Sequence, residues 1–230
     1  MLQKKMLANS LMLSYSVTNK DLHSNDQGVE HKEIIGMETV LKSASGYQTV
    51  SIEAILNSKR VIFINGSIDD EMAMTVVQQA TYLAQEDSSK PIKMLINSCG
   101  GEIDAGMVIY DILQSCPAPI KVYCTGKAYS MGATLLCCGK HGRYLLPHSR
   151  VMIHEPLAFS GVGGKTSSIQ TMAESMLKVK DEMIAILAKH TGQPIEKLNE
   201  MTKTDTFFSA DEAVEFGLAD KVVDFAEVLK

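Results

Sequence analysis

Residues 120–138 read IKVYCTGKAYSMGATLLCC, and they carry the clearest indication of the fold class. The apolar residues at 120–125 predict a buried strand, while the small and apolar residues at 130–138 predict a short helix. Gly126 and the residues after it connect the two. A strand that passes directly into a helix is the first half of a strand–helix–strand unit.

The same alternation continues on both sides of this stretch. Apolar runs of strand length occupy residues 60–65, 92–97 and 150–154, and residues 72–85 and 105–115 carry apolar side chains at helical spacing. Repeated strand–helix–strand units predict a parallel sheet with right-handed crossovers. The predicted fold class is therefore α/β.

A long helix is predicted after the last of these strands. Glycine-rich residues 160–165 precede an apolar stripe over residues 166–190, which would span roughly 37 Å. Ser167 and Gln170 have the spacing of a capping box, and Gly192 provides a stop. A helix of this length would either protrude and pack against another subunit or cover the core.

The beginning of the chain differs in character from the rest. Residues 1–46 are polar and lack periodicity, which predicts a flexible N-terminal arm, whereas residues 47–230 form one dense domain. The first twenty residues contain lysines and no acid, so a transit peptide or a propeptide remains open. Polar residues interrupt their apolar stretch, which favours a disordered tail.

Composition argues against several classes of protein. The net charge of −5 gives no electrostatic case for nucleic-acid binding, and no apolar run approaches the roughly 18 residues of a membrane-spanning helix. The five cysteines form no C-x-x-C pair and their number is odd, so neither a disulfide framework nor a zinc site is indicated. Thiols that pack as small apolar groups predict a reducing, cytoplasmic setting.

Ser130 is the first candidate for chemistry. The predicted strand–helix junction places it near the N-terminus of a helix, where free backbone N–H groups and the helix dipole favour developing negative charge. A serine nucleophile needs this setting because its attack creates an oxyanion. On this local pattern alone an ordinary N-cap serine is the better interpretation, since such serines are common.

Three further features would complete such a site. Residues 97–103, NSCGGEI, follow a strand and carry two glycines whose N–H groups suit an anion, although most such pairs are turns. His154 ends another strand, where open α/β sheets place ligands, and it is either a general base or a structural histidine. An orienting aspartate is also needed, and spacing alone does not separate Asp205 from Asp211 or Asp220.

Longer motifs stand out when the chain is taken as a whole. They are INSCGG at 96–101, AYSMGATLL at 128–136, LPHSRVMIHEPL at 146–157, LKVK at 177–180, HTGQ at 190–193 and FSADEAVEFGLAD at 208–220. In this order they resemble the Clp protease proteolytic subunit family, a member of the broader crotonase-like fold. The resemblance runs from about residue 47 to residue 223.

The resemblance implies a role for each candidate residue. It makes Ser130 the nucleophile, His154 the base and Asp205 the aspartate that orients this base. The backbone N–H groups of Gly101 and Met131 would form the oxyanion hole. The peptidase subunits of this family need neither metal nor nucleotide, so no cofactor is expected.

The resemblance also implies an assembly and its partners. Residues 158–191 correspond to the family's handle, through which two heptameric rings stack into a hollow tetradecamer. The substrates would be unfolded polypeptides, delivered by an AAA+ unfoldase of the ClpX, ClpA or ClpC kind. A second paralogous subunit, sharing a mixed ring, is a further partner to consider.

The chain departs from the family pattern at several positions. Cys99 replaces the usual proline, and Thr204 replaces an arginine that helps to link the rings. The docking pocket for the unfoldase usually has aromatic residues where Lys93, Leu95 and Ser115 stand. A lysine there weakens an apolar anchor by its desolvation cost, so we expect either a divergent paralogue with an altered partner loop or a subunit that works in a mixed assembly.

Two other functions remain open. A crotonase-fold enzyme acting on acyl-CoA would share the paired glycines but has no need of Ser130, His154 and Asp205 together. A catalytically silent scaffold subunit of a mixed ring would keep the fold without the reaction. The complete set of three residues argues against both, and the sequence therefore predicts a serine endopeptidase.

Overall fold

The computed structural model describes residues 37–43, 46–158 and 163–229. The chain divides into two compact units, and the boundary in the sequence falls between Lys59 and Arg60. Most of the arm expected at residues 1–46 lies outside the described residues, so a domain boundary at residue 46 stays a prediction. Part of the glycine-rich stretch, residues 160–162, also lies outside them.

The first unit contains a hairpin followed by a short helix. Strand β1 (Glu38–Ser43) pairs with the antiparallel strand β2 (Gly46–Ser51), and helix α1 (Ile52–Ser58) follows. The hydroxyl of Ser51 caps α1 by accepting the N–H of Ala54. Strand β1 was not expected from the sequence, because its described side chains are exposed or half-buried and give no buried alternation to recognise.

The second unit is built on a seven-stranded sheet. Its strands are β3 (Val61–Ile68), β4 (Ile92–Gly101), β5 (Ile120–Tyr129), β6 (Arg143–Leu145), β7 (Arg150–Ile153), β8 (Thr206–Phe208) and β9 (Lys221–Val222). Strands β3, β4, β5, β6 and β9 follow one another in parallel, β7 is parallel to β5, and only β8 runs antiparallel to its neighbour β7. This confirms the predicted α/β fold with a mostly parallel sheet.

Seven helices of the second unit accompany this sheet within the described residues. They are α2 (Asp70–Glu86), α3 (Ile103–Ser115), α4 (Met131–Cys137), α5 (Thr166–Thr191), α6 (Ile195–Met201), α7 (Ala210–Phe216) and α8 (Phe225–Val228). Helix α2 packs on β3 through a stripe at helical spacing, and α4 packs on β4 and β5. Every side chain of α4 is buried, which explains its apolar sequence.

Along the edge away from β4, strand β5 divides its pairing between two neighbours, and this division positions the candidate site. Its first half pairs with β6, from Val122 opposite Arg143, while its last residues pair with β7, from Lys127 opposite Arg150. The ends of β5 and β7 therefore lie side by side. Ser130 follows the first of these ends and His154 follows the second.

Helix α5 confirms the predicted long helix and corrects one detail of it. Its 26 residues span about 39 Å, and Gly192 ends it in the left-handed conformation, at φ 72°. The capping box predicted from Ser167 and Gln170 is wrong, because the helix begins at Thr166 after Lys165, without a side-chain cap. The buried residues of α5 all lie in its second half, and its first half faces water.

Candidate active site

Ser130 lies between β5 and α4 in a backbone conformation that few side chains adopt. Its φ is 54° and its ψ is −120°, a strained arrangement that costs on the order of 1–3 kcal/mol. Its N–H donates to the carbonyl of Met152 on β7, at 2.8 Å, which holds the strained residue in place. Its hydroxyl does not cap α4, so the interpretation of Ser130 as an ordinary N-cap serine is wrong.

The glycine before the β4 terminus allows the backbone to approach Ser130. Gly100 has a φ of 93°, and a Cβ added to it would lie 2.7 Å from the Cβ of Ser130 and 2.8 Å from the carbonyl oxygen of Tyr129. No side chain fits at that distance, and L-residues rarely adopt this φ. Glycine at position 100 is thus a requirement of the close contact between the end of β4 and the β5–α4 junction.

His154 makes hydrogen bonds through both ring nitrogens. Nε2 lies 2.8 Å from the Oγ of Ser130, and Nδ1 lies 3.1 Å from the Oδ1 of Asp205. The antiparallel pairing of β7 with β8 explains the second contact, because Ile153 is opposite Thr206, so that the residue after Ile153 and the residue before Thr206 are neighbours. The structure brings these three candidates together in one hydrogen-bonded line.

The other two aspartates considered from the sequence have different surroundings. Asp211 lies in the first turn of α7, and Asp220 binds the guanidinium group and the backbone N–H of Arg143. Asp205 alone among the three contacts His154 in the described residues. The Asp205 side chain is 59% exposed and that of His154 is 14% exposed, so solvent screens the attraction between the two.

The predicted oxyanion donors occupy unequal positions. Met131 is the first residue of α4, so its N–H has no carbonyl one turn earlier within the helix to bond. A Cβ on Gly100 would lie 3.1 Å from this nitrogen, whereas the atoms nearest to a Cβ on Gly101 all belong to Ile68 of β3. The end of β4 therefore reaches Ser130 through Gly100, and the role of the Gly101 N–H stays a prediction.

A small pocket of about 30 Å³ opens beside Ser130 and His154. It is predominantly apolar, and its other lining residues are Ile103, Met131, Thr134, Ile153, Pro156, Met183 and Leu187. Met183 and Leu187 belong to the apolar stripe predicted over residues 166–190. No local pattern indicates that this face of the helix lies beside Ser130, because the contact joins residues far apart in the chain.

Leu95, one of the positions compared with the family's docking pocket, is buried in a small cluster that contains more aromatic side chains than the sequence suggested. Phe63, Leu95, Tyr123 and Tyr144 lie in register across four neighbouring strands, and the rings of Tyr123 and Tyr144 stack with centroids 4.8 Å apart. Lys93 is half-buried, and its ammonium group donates to the carbonyl of Val228 at 2.8 Å. The ammonium group of Lys93 thus has a hydrogen-bond acceptor in helix α8.

Two general properties of the described residues complete the picture. None of their helices is long and apolar enough to cross a membrane. All five cysteines are free thiols, and three of them, Cys124, Cys137 and Cys138, are buried. Burial raises the pKa of the Cys124 thiol, which keeps it protonated.

Comparison with known families gives the same assignment as the motifs and the fold. Residues 42–226 match the family model described as Clp protease. The matched part contains Ser130, His154, Asp205 and the paired glycines, and it covers well over half of the chain. The chain therefore belongs to the Clp protease family of peptidases.

Proposed function

We propose that this chain is a serine endopeptidase that hydrolyses peptide bonds of unfolded polypeptides through an acyl-enzyme. The observation that carries the proposal is the continuous line from Ser130 Oγ to His154 Nε2, at 2.8 Å, and from His154 Nδ1 to Asp205, at 3.1 Å. Nucleophile, base and orienting carboxylate are the three parts that serine peptidases require.

The reaction follows from these contacts. Ser130 Oγ forms a bond to the carbonyl carbon of the peptide while His154 Nε2 accepts the hydroxyl proton. The same proton then passes to the amine nitrogen as the C–N bond breaks, which leaves an ester on Ser130 and releases the amine product. Water repeats the sequence on the ester and restores the serine. Asp205 keeps the proton of the neutral imidazole on Nδ1, so that Nε2 is free to act as the base.

The negative charge of the tetrahedral intermediate needs donors already in place. The N–H of Met131, at the start of α4, is the first of these, and that of Gly101 is proposed as the second. The apolar pocket beside Ser130 would take an apolar side chain next to the cleaved bond. A loose, apolar cleavage preference is part of the proposal and rests on family membership.

The assembly part of the proposal rests on family membership. Two stacked heptamers would enclose the sites, with the handle at residues 158–191 between the rings, and an AAA+ unfoldase would deliver the substrate. The exposed first half of α5, with Ile169 and Met172 facing water in the single chain, supports a contact between subunits. A cytoplasmic location is part of the same proposal.

The experiment is labelling with a fluorophosphonate probe combined with native mass measurement. The wild type should react and Ser130→Ala should not, on a particle near fourteen subunits. An acyl-CoA enzyme of the related fold would not react at all. An intact ring without labelling would instead identify a silent or partner-dependent subunit, and labelling on a small particle would remove the enclosed chamber from the proposal.

A further inference from the structure

An ion pair connects the segment that carries His154 to the long helix. Glu155 Oε2 and Lys180 Nζ are 2.5 Å apart, and Glu155 directly follows the proposed base. The Lys180 side chain keeps only 24% of its exposure and that of Glu155 36%. Partial burial leaves such a pair less screened by salt than an exposed surface pair.

The backbone of Glu155 forms a second connection. Its N–H donates to the carbonyl of Thr202 at 2.8 Å. Thr202 is fully buried at the end of α6 and precedes Asp205 by three residues. Glu155 is therefore held to the segment that leads to the proposed orienting aspartate as well as to α5.

Lys180 lies on the same side of α5 as two residues that line the pocket beside Ser130. Met183 and Leu187 line that pocket, and they follow Lys180 at intervals of three and seven residues, on the same side of the helix. The ion pair thus joins the helix that forms one wall of the pocket to the residue next to His154.

We propose that Glu155 and Lys180 are positioning residues for His154, an inference that rests on the proposed peptidase function. Their ion pair holds α5 and the segment after β7 in one arrangement, which keeps His154 Nε2 within reach of the Ser130 hydroxyl. The hydrogen bonds of the reacting groups involve neither side chain. Reactions of this kind are sensitive to such support, because a misplacement of about 1 Å lowers rates by about a hundredfold.

The experiment measures the second-order rate constant for fluorophosphonate labelling of Ser130 in the full chain, with melting temperature and native mass measured alongside. A small probe reports the geometry of Ser130 and His154 and depends little on the pocket. The variants are Lys180→Met, Glu155→Gln, their double combination, and Lys180→Arg, which keeps the charge. Lys90→Met is the matched control, because Lys90 pairs with Asp87 at 3.0 Å before the amino end of β4, away from the site.

We expect Lys180→Met and Glu155→Gln each to slow labelling by about tenfold, and Lys180→Arg and Lys90→Met to stay within about twofold of the wild type. The double variant should be no slower than the slower single variant, because both remove the same interaction. Melting temperature and native mass should change no more than in the Lys90→Met control.

Three results would overturn the inference where the wild type does label. Labelling at the wild-type rate in Lys180→Met or Glu155→Gln would show that the ion pair does not support His154. Losses that multiply in the double variant would show two independent residues, and a Lys180→Arg variant as slow as Lys180→Met would show that the charge is irrelevant. If the wild type itself does not label, the proposed function is wrong and this inference fails with it.

Discussion

Ile153 and Thr206 face each other across the antiparallel strands β7 and β8, and this single pair determines which aspartate reaches His154. The residue after Ile153 is His154 and the residue before Thr206 is Asp205, so the register places them side by side. The contact spans fifty-one positions of sequence, from 154 to 205. A strand of three residues thereby completes the candidate site.

Replacing Asp205 by asparagine should abolish most of the activity while sparing the fold. The amide would favour the wrong tautomer of His154, and in serine peptidases this change costs up to about 10⁴ in kcat. The Asp205 side chain is 59% exposed, so solvent screens part of its effect. We therefore expect kcat to fall by at least about a hundredfold but by less than about 10⁴. Peptide hydrolysis and the melting temperature are the measurements.

Asp211→Asn is the matched control for this substitution. Asp211 lies in the first turn of α7, where its charge stabilises the helix by about 0.3–1 kcal/mol. Within the described residues its side chain contacts no proposed catalytic group. Its peptidase activity should equal that of the wild type. If Asp211→Asn and Asp205→Asn lose activity equally, the assignment of Asp205 is wrong.

Gly100→Ala tests the close approach of the β4 terminus to Ser130. The new methyl group would lie 2.7 Å from the Cβ of Ser130 and 2.8 Å from the Tyr129 carbonyl, at a φ of 93°. We expect a loss of stability of about 1–3 kcal/mol and a loss of labelling larger than that destabilisation explains. Denaturant unfolding and fluorophosphonate labelling give the two quantities.

Gly163→Ala provides the comparison, because a Cβ at this position meets nothing within 4 Å. It should leave labelling unchanged and alter the unfolding free energy by less than about 1 kcal/mol. Wild-type labelling in Gly100→Ala would contradict the contact between Gly100 and Ser130.

The sequence predicted the elements whose signal is local. The apolar runs at residues 92–97 and 120–125 belong to β4 and β5, and Gly192 ends the long helix α5 at φ 72°. Strands β6 and β8 have three residues each and carry too little periodicity to recognise. Which aspartate contacts His154, Asp205 or Asp211, depends on the pairing of β7 with β8. The position of α5 beside Ser130 likewise depends on packing between distant parts of the chain, which no local pattern predicts.

Arg143 should be a major contributor to stability. Its Nη1 donates to the carbonyls of Cys137, His190 and Gly217, at the C-terminal ends of α4, α5 and α7, and the rest of its guanidinium binds Asp220. A cation at the ends of three helices satisfies carbonyls that have no helical partner. Arg143→Met should therefore lower the unfolding free energy by about 3 kcal/mol in denaturant titrations.

Arg143→Lys separates charge from geometry at this position. Lysine keeps the charge but not the planar fork of donors, so we expect an intermediate loss of about 1–2 kcal/mol. Equal stability of wild type and Arg143→Met would show that the three carbonyl contacts contribute nothing measurable.

His190 should make the stability of the protein depend on pH. Burial, and after it the nearby cations Lys189 and Arg143, lower the pKa of His190 from its ordinary value of 6.5. Between the lowered and the ordinary pKa, His190 is protonated in the unfolded chain more than in the folded chain. The contribution of His190 to the unfolding free energy is therefore fully present above the ordinary pKa and decreases as the pH falls below it. The fall ends once the pH is below the lowered pKa of the folded state.

His190→Gln should flatten this dependence. Glutamine keeps a neutral polar group near the Tyr110 hydroxyl, which lies 3.3 Å from His190 Nε2, and it does not titrate. Urea unfolding at about pH 7.5 and about pH 5.5 should show a smaller loss of stability on acidification in the variant than in the wild type. The exposed His148, replaced in His148→Gln, provides the control for the substitution itself. Equal slopes in wild type and His190→Gln would contradict the prediction, because the proton uptake that produces the slope would then belong to other groups.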